Sequence, residues 1–287
     1  MDFNMQGVLY AVLVIAVSAL VLGLILAIFS KLMAVPVDQK LSALREAMPG
    51  ANCGACGHTS CDGYSEVLAD GTETKINLCK PGGQGTIDQI SKILGVSGGT
   101  AQATTAMVLC QGNHNNTQKR AKYHGIQTCH MAELIDGGDA ACGYGCLGYG
   151  DCEKVCQYDA IHVINGVSVV DPSKCTSCMM CIETCPKNII ELVSMKKPHS
   201  VVFCHNEDIA QVANKVCSVS CISCGRCVKA CPVNCIEIVN NRAIIDYDCC
   251  INCGECQRVC PHDCILSLYP PNQLDERVIA STTAPSV

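Results

Sequence analysis

The 287-residue sequence has no tryptophan and only three phenylalanines, and aromatic residues make up 4% of it. Aromatic side chains normally supply much of the buried area of a large apolar core, so this shortage argues against a conventional core of that kind. Positive charge is also short: 20 Lys and Arg stand against 26 Asp and Glu, a net charge of −6. Phosphate recognition needs basic clusters, so no nucleic-acid partner is expected. There is no strand–loop–helix GxGxxG, and Gly98-Gly99 alone reads as a loop, so no flavin or nicotinamide site is expected in this chain.

Cysteine is what the chain has in excess, with 27 residues. An odd count leaves at least one thiol outside any fully intramolecular disulfide scheme, and the spacings are more regular than disulfide frameworks require. Thiolate ligation of metal in a reducing compartment is the reading that fits.

The N-terminus carries a second concentrated signal. From Val8 to Phe29 the chain runs 22 residues without a charge, long enough to span a bilayer core of about 30 Å. Asp2 precedes the run with no Lys or Arg, and the run exceeds a signal-peptide h-region, so residues 1–30 are expected to be a single-pass transmembrane anchor. The first basic residues are Lys31, Lys40 and Arg45, which place the N-terminus outside and the remainder in the cytoplasm.

Residues 49–61 read PGANCGACGHTSC, and with Cys79 they give C-x2-C-x4-C-x17-C on Cys53, Cys56, Cys61 and Cys79. Four thiolates with two short gaps and one long gap suit one [4Fe–4S] cluster, whose four irons each need a ligand. Structural zinc prefers two C-x2-C pairs and fits less well. Gly50, Gly54 and Gly57 let backbone approach the inorganic sulfides, and His58 is expected to be a solvent-facing loop residue. Helices are expected over 38–47, 63–69 and 86–94, the last with Thr86 as N-cap.

The most specific pattern is C-x2-C-x2-C-x3-C-P, which occurs three times: Cys175, Cys178, Cys181, Cys185; Cys221, Cys224, Cys227, Cys231; and Cys250, Cys253, Cys256, Cys260. This is the bacterial ferredoxin run, in which three Cys ligate one cluster and the fourth ligates its pair. Runs therefore come in twos. The partner of the first is an altered run with Cys142, Cys146, Cys152 and Cys156, followed by Gln157 in place of Pro. It matches Cys217, Cys221, Cys227 and Cys231 position for position but lacks the counterpart of Cys224. Cys142 is the nearest replacement ligand, with Cys129 and Cys110 as the alternatives.

Each half also carries a hairpin signal. Asn165-Gly166 separates Ile161–Ile164 from Val167–Val170, and Asn240-Asn241 separates Ile236–Val239 from Arg242–Ile245. The repeat is run, hairpin, run, closing strand, present twice in tandem. The expected fold is thus α+β: an anchor (1–30), a small helical [4Fe–4S] domain (31–95), a two-cluster ferredoxin-like domain with an atypical first motif (96–197), a second such domain (198–268) and a C-terminal tail (269–287). The ligands add up to five [4Fe–4S] clusters. Seven thiols are left: Cys110, Cys129, Cys204, Cys217, Cys235, Cys249 and Cys264. Cys235 and Cys264 read as small buried hydrophobes. An iron count near 24 rather than about 20 would place a sixth cluster on some of Cys110, Cys129, Cys204 and Cys217.

The order of anchor, PGANCGACG domain and ferredoxin runs resembles the B subunit of the Rnf complex over residues 1–268, and VLCQGN with CGYGCLGYGDC looks like its longer version with two tandem ferredoxin domains. That resemblance implies a prokaryotic cell-membrane subunit that accepts electrons from soluble reduced ferredoxin. It would pass them to integral membrane subunits and a flavin- and NADH-binding subunit, coupled to Na+ or H+ translocation. A related complex that reduces a redox-sensing regulator shares this architecture. The competing readings are an electron-transfer subunit of a hydrogenase or another reductase, and a zinc scaffold with no redox role.

Overall fold

The computed structural model describes residues 5–32, 38–101, 103–195 and 199–268, and the expected tail at 269–287 lies outside them. The chain divides into two compact units, residues 1–43 and 44–287. In the first, helix α1 (Met5–Leu32) runs unbroken through the apolar segment. Its stretch Val12–Lys31 has a mean hydropathy of 3.1 and no buried residue. Twenty residues at 1.5 Å each cover about 30 Å, the thickness of a bilayer core. The hydroxyl of Ser18 donates to the Ile15 carbonyl at 2.9 Å, so the helix satisfies its own polar side chain, as lipid requires.

Helix α2 (Gln39–Ala47) leads into the second unit, where α3 (Cys61–Ala69) and α4 (Gly83–Leu94) surround the first cysteine loop. Leu44, Tyr64, Leu68, Ile87 and Ile90 are all buried to 1% exposure or less and pack with Cys79. Helix α4 starts three residues earlier than the sequence implies. Gly82 is its N-cap, and Thr86 instead lies buried and donates its hydroxyl to the Ala47 carbonyl at 3.2 Å.

Two similar halves follow. The first contains β1 (Thr104–Val108), α5 (Cys129–Glu133), α6 (Asp151–Lys154), β2 (Ile161–Ile164), β3 (Val167–Val170), α7 (Met180–Thr184) and β4 (Ile190–Ser194). The second contains β5 (His199–Val202), α8 (Ala210–Val216), α9 (Arg226–Ala230), β6 (Ile236–Val239), β7 (Arg242–Ile245), α10 (Glu255–Arg258) and β8 (Ile265–Leu268). Antiparallel pairs β2–β3 and β6–β7 have the registers of tight hairpins, Ile164 opposite Val167 and Val239 opposite Arg242. Asn165, Gly166, Asn240 and Asn241 all have positive φ, the conformation that a two-residue turn of matching twist demands.

Around each inner hairpin an outer pair closes the half, β1 with β4 and β5 with β8. The opening strands β1 and β5 carry no turn or alternation signal in the sequence. Side chains alternate along β1 in period two: Ala106 and Val108 face the cysteines of their own half, while Met107 joins Leu109, Val193, Val201, Phe203 and Leu266 in a small core shared by both halves.

Candidate metal centres

In the first loop, Gly50, Asn52, Gly54 and Gly57 all have left-handed backbone, which coils the chain round Cys53 and Cys56. Asn52 accepts from the Cys61 N–H at 2.9 Å, and Ser60 caps α3 by accepting from Gly63 N–H at 3.0 Å, so Cys61 is fixed at the helix start. Cys79 comes from the loop before α4. Burial pushes its thiol up to about 11, and Cys61, Cys56 and Cys53 act on it in the same direction, which puts the four sulfurs in one neighbourhood. His58 is half-buried and stacked on Tyr64 at 5.1 Å between ring centroids, rather than facing solvent.

The three regular runs share one backbone. The residues on either side of the second Cys are left-handed in each: Ser177 and Met179, Ser223 and Gly225, Asn252 and Gly254. The third Cys then enters the first turn of a short helix, α7, α9 or α10. Three residues beyond the fourth Cys another left-handed residue follows: Asn188, Asn234 or Asp263. Left-handed Ser and Met cost free energy, so this coil is imposed by the need to turn all three sulfurs inward.

Cavities lie where the runs cross. One is lined by Cys221, Cys224, Cys227 and Cys260, and another by Cys156, Cys175, Cys178 and Cys181. In both, three thiols come from one run and the fourth from the paired run, the exchange that the spacing predicts. Cys250 and Cys253 both act electrostatically on Cys256, and Cys250 also acts on Cys235, whose sulfur lies 3.4 Å from that of Cys231.

The altered run keeps the same backbone. Gly148 and Gly150 are left-handed where Ser223 and Gly225 are, and Asp159 corresponds to Asn234. Tyr149 therefore stands at the position of the missing Cys. Its hydroxyl points away to Asp139 at 2.9 Å, and its ring meets Tyr123 edge-on. The thiol in its place is Cys129, which lies close to the backbone of Asp151 and Tyr149. Cys129 lines a cavity with Cys146, Cys152 and Cys185, and Cys142 does not.

Cys142, the ligand expected from the sequence, stands apart from this set. Cys142 lines a separate cavity with Cys110, Cys204 and Cys217. The physical reason is an insertion: 31 residues separate Cys110 from Cys142, but only 12 separate Cys204 from Cys217. The extra segment contains α5, whose N-cap Thr128 accepts from Met131 N–H at 3.3 Å. Lys187, next to the Cys185-Pro186 pair, anchors that segment through Glu133 at 2.5 Å and the Gly137 carbonyl at 2.8 Å.

Cys235 and Cys264 are 6% and 2% exposed, and Ala160 occupies the corresponding place after Cys156. Their size matches the sequence reading. Cys249 is exposed.

The residues fit iron–sulfur clusters better than single ions. Tetrahedral zinc at 2.3 Å from each sulfur needs sulfurs about 3.8 Å apart. Among the described residues no group of three or more Cys, His, Asp or Glu converges in that way; the thiols instead line the walls of cavities. Burial pushes Cys152 and Cys181 up to about 12 and Cys227 to about 11. Such thiols give up their protons when a cationic centre takes the charge.

Comparison with known proteins agrees. An Fe-S cluster family matches residues 48–81, a 4Fe-4S binding domain 168–191 and a 4Fe-4S dicluster domain 220–264. The chain is similar to the B subunit of the Na(+)-translocating ferredoxin:NAD(+) oxidoreductase complex of Acetobacterium woodii, with 41% identity over 85% of this chain and 73% of the relative. It is 32% identical to the B subunit of the proton-translocating ferredoxin:NAD(+) oxidoreductase complex of Clostridium ljungdahlii, over 84% and 85% of the two chains. The B subunit of the ion-translocating oxidoreductase complex of Methanosarcina acetivorans is 32% identical over 73% and 79%.

Proposed function

Because the chain belongs to the family of B subunits of ion-translocating ferredoxin:NAD oxidoreductase complexes, we propose that it is the membrane-anchored entry wire of such a complex. It takes electrons from reduced ferredoxin and delivers them to the integral membrane subunits and a flavin- and NADH-binding partner. The complex is an enzyme, and this subunit contributes electron transfer to it without a substrate-converting site of its own. Each cluster, when bound, supplies reversible one-electron chemistry.

The observation that carries this reading is the succession of four-thiol sites along one chain that also bears α1. Five sets are assigned: Cys53, Cys56, Cys61 and Cys79; Cys129, Cys146, Cys152 and Cys185; Cys156, Cys175, Cys178 and Cys181; Cys221, Cys224, Cys227 and Cys260; Cys231, Cys250, Cys253 and Cys256. The chain's own work is to hold the thiolates, exclude water from the buried ones and aim backbone N–H groups at sulfur. Adjacent sets are near one another: Cys53 acts on Cys178, and Cys152 acts on Cys181. The anchor places the thiols on the cytoplasmic face, where they stay reduced.

The test is anaerobic purification from membranes followed by mixing with reduced ferredoxin. The isolated chain should bleach in the visible as it is reduced, and should not reduce NAD. NAD turnover by the isolated chain, or copurification with a nickel or molybdenum subunit in place of a flavoprotein with NADH dehydrogenase activity, overturns the assignment. In inside-out vesicles, protease should reach the cysteine domains.

A further inference from the structure

Cys110, Cys142, Cys204 and Cys217 are not needed by the five sets above, yet they line one cavity. We propose that these four thiolates hold a sixth [4Fe–4S] cluster, which joins the two ferredoxin-like halves. The proposal rests on reading the runs as cluster sites.

Its first support is the way the two halves contribute. Cys110 follows β1 as Cys204 follows β5, and Cys142 precedes Cys146 by four residues as Cys217 precedes Cys221. Each half thus supplies an equivalent pair of sulfurs, and the site is complete only where the halves meet. They are stitched there by Thr117, whose hydroxyl donates to the Val216 carbonyl at 2.7 Å, and by Ser218 N–H donating to the Asn116 carbonyl at 2.9 Å.

The second support is the environment of the sulfurs. The Cys110 sulfur accepts from Gly112 N–H at 3.3 Å and Cys146 N–H at 3.5 Å, and the Cys204 sulfur accepts from Cys221 N–H at 3.2 Å. Asn206, 1% exposed and from the second half, donates its side-chain amide to Cys142 of the first at 3.4 Å. Donors aimed at several sulfurs suit thiolates, not thiols kept merely as small apolar fillers. The space is also comparable to that of each of the three cavities at the run crossings. A disulfide explains neither the cavity nor the donors, and all four cysteines are free.

The position gives the site its role. Its ligands Cys110 and Cys204 accept hydrogen bonds from the backbone of Cys146 and Cys221, ligands of the flanking sets in the first and second half. One electron arriving from the set on one side is matched by one electron leaving to the set on the other, with no proton or covalent change at the thiolates. Without a centre here the two halves would be separate ferredoxins on one chain.

The experiment uses the full chain purified anaerobically from membranes, with iron and sulfide counting and EPR of the reduced protein. The wild type should hold about 24 irons, and the double variant Cys142→Ala/Cys217→Ala about 20, since each cluster carries four. Cys235→Ala/Cys264→Ala should keep about 24. Stopped-flow reduction by a limiting amount of reduced ferredoxin should show electrons confined to one half in the Cys142→Ala/Cys217→Ala chain. A wild type of about 20 irons, unchanged by that pair of substitutions, overturns the sixth site and leaves the five-cluster assignment standing. A wild type well below 20, or zinc in place of iron, overturns the five-cluster assignment itself. Should the double variant lose more than four irons, Cys142→Ser is measured instead, because its oxygen can remain a ligand. A shifted signal from one cluster then supports the site, and an unchanged spectrum overturns it.

Discussion

Ser168 allows the tuning of one centre to be worked out from geometry. Its hydroxyl, in a side chain 4% exposed, lies 3.2 Å from the Cys152 sulfur and 3.7 Å from the Cys146 sulfur, both assigned to the atypical site. With both sulfurs as thiolates the single O–H donates to the nearer one. The second half has Ala243 at the corresponding position, lining the Cys221, Cys224, Cys227 and Cys260 cavity. Reduction adds one electron shared over four iron–thiolate corners. A hydrogen bond worth about 2 kcal/mol to a full charge is therefore strengthened by about a quarter of that, ~0.5 kcal/mol, which for a one-electron couple is about 20 mV. Ser168→Ala should lower the potential of one cluster by that amount and leave the others in place. Ala243→Ser should raise a different one by a similar amount. The assay is an EPR-monitored redox titration of the purified chain. If Ser168→Ala leaves every potential within a few millivolts, or moves one upward, the assigned donor direction or the ligand set is wrong.

Other consequences are as direct. Cys129→Ala should remove about four irons, and adding Tyr149→Cys to it should restore them by returning the ligand to its regular position; iron counting reads both. Gly148→Ala should cost more than about 2 kcal/mol and empty the same site, because the new Cβ would lie 2.5 Å from the Gly166 carbonyl oxygen and φ there is +73°; the readout is loss of iron at an expression temperature where wild type is full. Burial of Asp139 works against its charge, but the Lys119 ammonium at 2.7 Å and the Tyr149 hydroxyl outweigh it and hold the carboxyl below the usual range. Its contribution is therefore complete above about pH 4 and lost only as pH falls through that lowered value. Asp139→Asn should cost about 1 kcal/mol in a denaturant titration, the half-exposed Lys119 limiting the pair, and the cost should be the same at pH 6 and pH 8. Chelating the iron should unfold most of residues 44–287 while α1 survives; circular dichroism that keeps the strand and short-helix signal contradicts this.

Much of this was legible in the sequence because cluster ligands are fixed by short local spacing. The C-x2-C-x2-C runs implied the crossing of fourth cysteines, and the Asn-Gly and Asn-Asn turns located both inner hairpins to the residue. Two things were not legible. Strands β1 and β5 are short and buried on both faces, one toward the cysteines and one toward the other half, so they lack the alternation that marks a half-exposed strand. Cys129 is hard to select from sequence because it lies 17 residues before Cys146, and proximity along the chain favours Cys142. A signal existed: the match between halves leaves Cys142 paired with Cys217 and Cys110 with Cys204, so Cys129 alone lies in the insertion and has no counterpart.

That lack of a counterpart also accounts for the insertion. A run that exchanges its central Cys for Tyr149 loses one ligand but frees the loop position for a side chain that reaches outward. The phenol then binds Asp139, and Asp139 holds Lys119, while Arg120 donates to the Asp136 and Gly138 carbonyls. The residues on both sides of Cys129 are thereby tied down on the run whose ligand it replaces. Substituted separately, the two changes are unequal. Loss of Cys129 leaves three thiolates and an open iron, whereas Tyr149→Cys alone adds a fifth thiol to a filled site and displaces the phenol from Asp139. Tyr149→Cys by itself should therefore keep its iron but loosen 118–141, seen as faster amide exchange there; equal iron loss in the two single variants would show that Cys129 is not the substitute ligand.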